Sequence, residues 1–89
     1  MQYDLVFAKK VKKVFHKLEN RNPSLLLAIQ KKVEEIAQHP HRYKNLRAPL
    51  QDYKSVHFGH FVLLFSVNET TMTVILEDFD HHDRIYEKP

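Results

Sequence analysis

Eighty-nine residues without a cysteine make one small domain, spanning 1–89, that buries about 60–65% of its unfolded surface and owes its stability to packing, not to disulfides or a cysteine-based zinc site. No apolar run approaches the ~18 residues of a membrane span, and MQYDLVFAKK lacks the apolar core and cleavage site of a signal peptide, so a soluble, cytoplasmic protein is expected. Net charge is only +3, yet residues 1–50 carry 11 Lys and Arg against 4 Asp and Glu, while residues 51–89 carry 3 against 7.

A basic half of that size suits a phosphate-bearing partner, because Lys and Arg contacts release counterions from a nucleic-acid backbone whatever its sequence. The plainer reading is a pair of lysine-rich, well-solvated helices. Both readings stand at the level of composition.

In chain order, Gln2 to Ala8 alternates, with Tyr3, Leu5 and Phe7 on one side, and predicts a short strand. From Lys9 the period changes. Val11, Val14, Phe15 and Leu18 form one stripe of a helix whose other side is Lys9, Lys10, Lys12, Lys13 and Lys17, ending near Glu19–Arg21. Asn22-Pro23-Ser24 is a helix start, since Asn can cap free backbone N–H groups and Pro at the first position gives up an N–H that has no partner. A second helix is expected from Pro23 to about Gln38, with Leu26, Ile29, Val33 and Ile36 inward and Lys31, Lys32, Glu34 and Glu35 outward. The two make a helical hairpin.

His39-Pro40 stops that helix, and His39 to Asp52 reads as a basic linker with two prolines. Strands follow at Tyr53–Phe58, His60–Val67 and Thr71–Phe79, with turns at Phe58-Gly59 and Asn68-Glu69-Thr70. Gly59 is the only glycine and falls where a hairpin needs positive φ. The strand HFVLLFSV is apolar on both sides, so it should be central. Its second side, with Val62 and Leu64, needs a cover from loops, the C-terminal segment or a partner protein. The order β-α-α-β-β-β gives an α+β fold, a helical hairpin packed on one face of a mostly antiparallel four-stranded sheet.

Among candidate chemistries, DFDHHD and HFGH offer histidines and carboxylates of the kind that bind divalent metals. On an extended chain, however, adjacent His81 and His82 point to opposite faces, and no HExxH-type spacing is present, so neither metal nor cofactor is expected. The serines lack a nucleophile-elbow context, and one glycine cannot build a phosphate-cradling loop. Cleavage of RNA by its own 2′-OH fits better. It requires a proton acceptor, a proton donor and cations for the phosphate, and His57, His60, His81, His82, Lys54 and Tyr86 could converge on one sheet edge to supply them. Each alone is equally an ordinary surface residue.

The pieces KNLRAPLQDYKSVHFGHFVLLF and TVILEDFDHHDRIY, together with the opening LVFAKKVKKVFHKL, resemble the RelE/ParE superfamily of toxin-antitoxin toxins over nearly the whole chain. The resemblance implies a messenger RNA endonuclease of RelE type acting on the ribosome without a metal, neutralised by a RelB-like antitoxin in a hetero-oligomer. The alternative it implies is a ParE-like gyrase inhibitor or a catalytically degenerate member that only binds its antitoxin. It places Lys54 at the basic position after the tyrosine and Tyr86 at the terminal tyrosine. Arg42, Lys44, Arg47 and Arg84 are the expected phosphate contacts. Two positions depart from many relatives, which carry arginine where this chain has Val62 and His82. Fixed positive charge that would stabilise the phosphate is missing at both positions, which leaves open histidine-based chemistry, a weakened nuclease or a member that acts by binding, and the apolar side with Val62 and Leu64 is expected to be an antitoxin seat.

Overall fold

A computed structural model describes residues 2–87. Its first strand, β1 (Asp4–Phe7), leads through Ala8 into helix α1 (Lys9–Arg21). A single residue then ends one helix and starts the next. The Asn22 backbone N–H donates to the Leu18 carbonyl, while its side chain accepts from the Leu25 N–H at 3.2 Å. With Pro23 in the first position, that is the cap read from the sequence, and α2 runs Pro23–Gln38 as expected.

After α2 a 3-10 turn, Pro40–Arg42, opens the linker, followed by β2 (Lys54–Phe58), β3 (Phe61–Asn68) and β4 (Thr73–His81). Helix α3 (His82–Glu87) comes last. The sequence reading did not contain it: a single apolar residue, Ile85, in six positions gives no helical period to detect. The sheet order is β1-β4-β3-β2. β2–β3 and β3–β4 are antiparallel, whereas β1 runs parallel to β4, so the sheet is mixed. Gly59, at φ 61°, makes the β2–β3 turn. Met72 takes φ 52° before β4, which therefore starts two residues later than the alternation suggests.

Val11, Ile29, Val33 and Ile36 of the helical hairpin pack on Leu63, Phe65, Val74, Leu76 and Phe79. Each fully buried aliphatic side chain contributes about 1.5–3 kcal/mol before entropy is counted. A bulge opposite Leu64 and Phe65, where Leu64 pairs with Asp78 and Phe65 with Leu76, inserts Glu77 as an extra residue. The extra residue lets both Leu76 and Phe79 reach the helix side and turns Asp78 the other way.

The second side of β3 is covered by the chain itself. Val62, Leu64 and Ile85 are buried together, with Leu46 and Tyr53 against them. The expectation that Val62 and Leu64 offer an open apolar seat for an antitoxin is thus overturned: they are 0% and 4% exposed. α3 and the linker, rather than a partner, complete the core.

Candidate functional site

Strand pairing aligns His57 with Val62 and Phe61 with His81, so the β2–β3 turn and the end of β4 lie at the same end of the sheet. The chain then bends. The His82 N–H donates to the His60 carbonyl at 2.7 Å, which seats the first residue of α3 beside the hairpin. His82 consequently lies in a helix, and the rule that separates neighbours on an extended strand does not apply across the 81–82 step.

Two histidine groups result. His57 on β2 faces α3, where its ring centroid is 5.9 Å from that of His82 and its Nε2 is 3.4 Å from the Tyr86 hydroxyl. The His82 and Tyr86 rings meet edge to face at 4.7 Å. On the other side of the turn, His60 and His81 stack at 5.8 Å. A shallow concavity of about 520 Å³ lined by Gly59, His60, His81, His82 and Asp83 joins the groups, with His82 common to both. Five of the six expected acid–base residues thus form one exposed band. Among the described residues, no three of the histidines and carboxylates are arranged to hold a metal ion.

Lys54 is elsewhere. It shares its side of β2 with Val56 and Phe58, which pack toward the helices, whereas His57 points the opposite way. Its ammonium donates to the Tyr43 carbonyl at 2.7 Å and to Asn45 Oδ1 at 2.9 Å, leaving one of three donors. Asn45 in turn donates to the Gln51 carbonyl at 2.8 Å. Lys54 therefore anchors the linker loop, and that loop delivers Arg47: Asn45 to Leu50 and Tyr86 line a concavity of about 400 Å³. Arg47 and the Tyr86 ring share this wall, which makes Arg47 a neighbour of the histidine band.

Arg84 projects from α3 with its Nη1 3.8 Å from Asp80. Lys44 is exposed on the linker. Arg42 lies apart, 3.8 Å from Glu35 on α2. The adjacent His41 pairs with Glu69 at 2.6 Å, and Tyr3 donates to the same carboxylate at 2.9 Å, a contact that raises the tyrosine's pKa. Glu69 belongs to the β3–β4 turn, about 23 Å along β3 from the histidines. The structure does not bring Arg42 to them.

Of the aspartates that flank the histidines, Asp83 lies in the band, its Oδ1 3.3 Å from His82 Nδ1, whereas Asp78 and Asp80 are engaged by α1. Lys10 on α1 reaches Asp78 at 2.8 Å and Asp80 at 3.3 Å, and Asp80 accepts the His81 N–H at 2.7 Å. Partial burial pushes the Asp80 carboxyl up, but the His81 N–H, Lys10 and Arg84 outweigh it and hold the group below the usual carboxylate range. Lys10 and Asn45 are the supporting residues that the motifs did not reveal. Nothing in the sequence links Lys10 to positions 78 and 80, since only the fold brings α1 to the end of β4 that extends past its pairing with β1 at Leu76. Val62 is packed under Ile85 and contributes no charge.

The profile described as the ParE toxin of a type II toxin-antitoxin system, parDE, matches residues 2–86. A Methanocaldococcus jannaschii protein named as a candidate toxin, RelE4, is 52% identical over 87 residues, covering 97% of this chain and 93% of that one. Among solved structures, the Mycobacterium tuberculosis RelBE2 toxin-antitoxin complex contains a chain similar to this one at a TM-score of 0.77 and 26% identity, over 91% of this chain and 99% of that one. A YoeB/ParE toxin from Agrobacterium tumefaciens matches at a TM-score of 0.79 with 11% identity, over 89% and 98%, a likeness of fold alone. A parallel-edged four-stranded sheet under a helical hairpin, read with a family match from residue 2 to residue 86, leads to one assignment: the chain belongs to the RelE/ParE superfamily of type II toxin-antitoxin toxins.

Proposed function

We propose that this toxin is an endoribonuclease of RelE type that cuts messenger RNA on the ribosome, with histidines in place of the arginines of many relatives. The observation that carries the reading is the band formed by His57, His82 and Tyr86 beside His60 and His81. Imidazoles are the side chains able to take and give protons near neutral pH, and two on opposite sides of a bound phosphate meet the needs of in-line attack by a 2′-OH. One accepts the 2′-OH proton, the other protonates the departing 5′-oxygen. Arg47 and Arg84 are placed to hold phosphate charge, and the exposed Tyr86 ring to stack on a base. A RelB-like antitoxin is the partner, in keeping with the toxin-antitoxin complex that contains the M. tuberculosis relative. Because β3 is already covered, the antitoxin would bind elsewhere or displace α3.

Translating ribosomes mixed with the purified protein should yield cuts within the A-site codon. His82→Ala should slow them by about 10²–10⁴-fold, and Tyr86→Phe, which keeps the ring, should lose less than Tyr86→Ala. The match to the ParE profile favours one other reading, inhibition of DNA gyrase. Intact messenger RNA together with blocked supercoiling would replace the first reading by the second.

A further inference from the structure

The exposed face of α1 is built against its own stability. Lys9, Lys10, Lys12, Lys13, His16, Lys17 and Arg21 are all exposed, and Glu19 is the helix's only acidic residue. Lys9, Lys13, Lys17 and Arg21 succeed one another at i, i+4, the spacing at which like charges destabilise a helix. The first turn contains no acidic residue, and Ala8 provides no side-chain cap, so three lysines crowd the positive end of the helix dipole. Helix α2 is constructed the other way, with Lys32 paired to Glu35 at 3.1 Å. Among the described residues, the ion pairs of α1 are Lys10 with Asp78 and Asp80, and His16 with Glu19; Lys9, Lys12, Lys13, Lys17 and Arg21 stand outside these.

We propose that this face is a second docking surface, separate from the histidine band, for the phosphate backbone of a folded RNA; the proposal rests on the RNA reading above. A polyanion would remove the repulsion the helix now bears, which gives the unbalanced lysines a purpose that solubility alone does not. Three features choose a nucleic-acid backbone over a membrane or a protein partner, and the RNA reading above makes that nucleic acid RNA. A membrane would need an apolar face to insert, and Val11, Val14, Phe15 and Leu18 are already packed in the core. A protein interface would need aromatic or apolar anchors and few lysines, whereas the exposed large hydrophobic residues among those described, Val6, Leu27, Phe61 and Tyr86, all lie off this helix. The outer face also carries no Phe, Tyr or Trp for stacking on unpaired bases, its one ring being the His16 imidazole, 3.8 Å from Glu19. It can therefore read only phosphates, along a rigid row about 18 Å long from Lys9 to Arg21. Lys10, held at the end of β4 by Asp78 and Asp80, sets the start of this row next to His81, so one RNA could be held along α1 while a neighbouring strand occupies the histidine band.

The test is a titration of a labelled RNA hairpin, with a stem of about two helical turns, by the full chain between about 50 and 200 mM KCl. Lys9→Gln, Lys13→Gln and Lys17→Gln together should weaken binding about tenfold or more and flatten the slope of log affinity against log salt by about 2 to 3. A second pair, Lys12→Gln with Arg21→Gln, should flatten it by about 1 to 2, which keeps the test decisive should the triple variant misfold. Unchanged affinity and slope in the α1 variants would overturn the proposal. So would an equal effect from Lys31→Gln with Lys32→Gln on α2, or loss of an acidic peptide in place of the hairpin. Failure of the nuclease reading would show separately, as absence of cleavage on ribosomes by the unaltered protein.

Discussion

At the scale of single residues, Lys54 shows how a motif position can keep its place in the sequence and change its surroundings. Its position after Tyr53 suggested direct contact with phosphate, yet two of its donors are taken by the linker at Tyr43 and Asn45. Lys54→Met should therefore act on stability as well as on cleavage. Loss of two charge-assisted bonds at a half-buried site should cost about 1–2 kcal/mol, read from the urea midpoint, and should loosen the loop that presents Arg47. A variant with unchanged midpoint but lost cleavage would mean that the ammonium acts on the substrate alone. The caps were easier to read. Asn22 and Pro23 act through their own backbone, so their effect is written locally, while the partners of Lys54 and Lys10 depend on chain segments far from them in sequence.

At the scale of elements, α1, α2 and the β2–β3 hairpin were legible because each has a period or a turn residue of its own. Helix α3 was not. Six residues cannot form a stable helix alone, and α3 exists through tertiary attachments: Ile85 buried on Val62 and Leu64, the His82 N–H on His60, and Arg84 near Asp80. Ile85→Ala should release it, with loss of cleavage exceeding the drop in global stability and with fast amide exchange confined to residues 82–87. Slow exchange there would show that the helix is held by other means. Acid should have a related effect. Asp80 has a folded-state pKa below its unfolded value, so its contribution is present above the ordinary carboxylate pKa and is lost as pH falls through the lower folded value. Protection of α3 should thus weaken below about pH 4, and Asp80→Asn should flatten that acid limb.

For the whole molecule, the layer architecture followed from the order of elements, but two features did not. The parallel pairing of β1 with β4 is a choice of sheet order that period-2 alternation leaves open. The cover over Val62 and Leu64 was correctly required, and loops and the C-terminal segment were among its candidates; the resemblance drew the choice to an antitoxin, because a linker with two prolines and a polar terminal stretch carry no packing pattern of their own. Since the chain closes its own core, the free toxin should unfold in one cooperative transition without its antitoxin. At micromolar concentration it should sediment as a monomer. A transition that sharpens only on adding the antitoxin would show a partner-dependent fold.

Placing Tyr86 and His82 on the last helix also orders events in time. α3 follows every strand in synthesis, and Ile85 can dock only on a β3 that is already paired. The band that would attack ribosome-bound RNA is therefore assembled last, after the sheet and the helical hairpin exist. On the proposed reading, a ribosome making this protein meets an inactive chain until residues 82–86 have left it and folded.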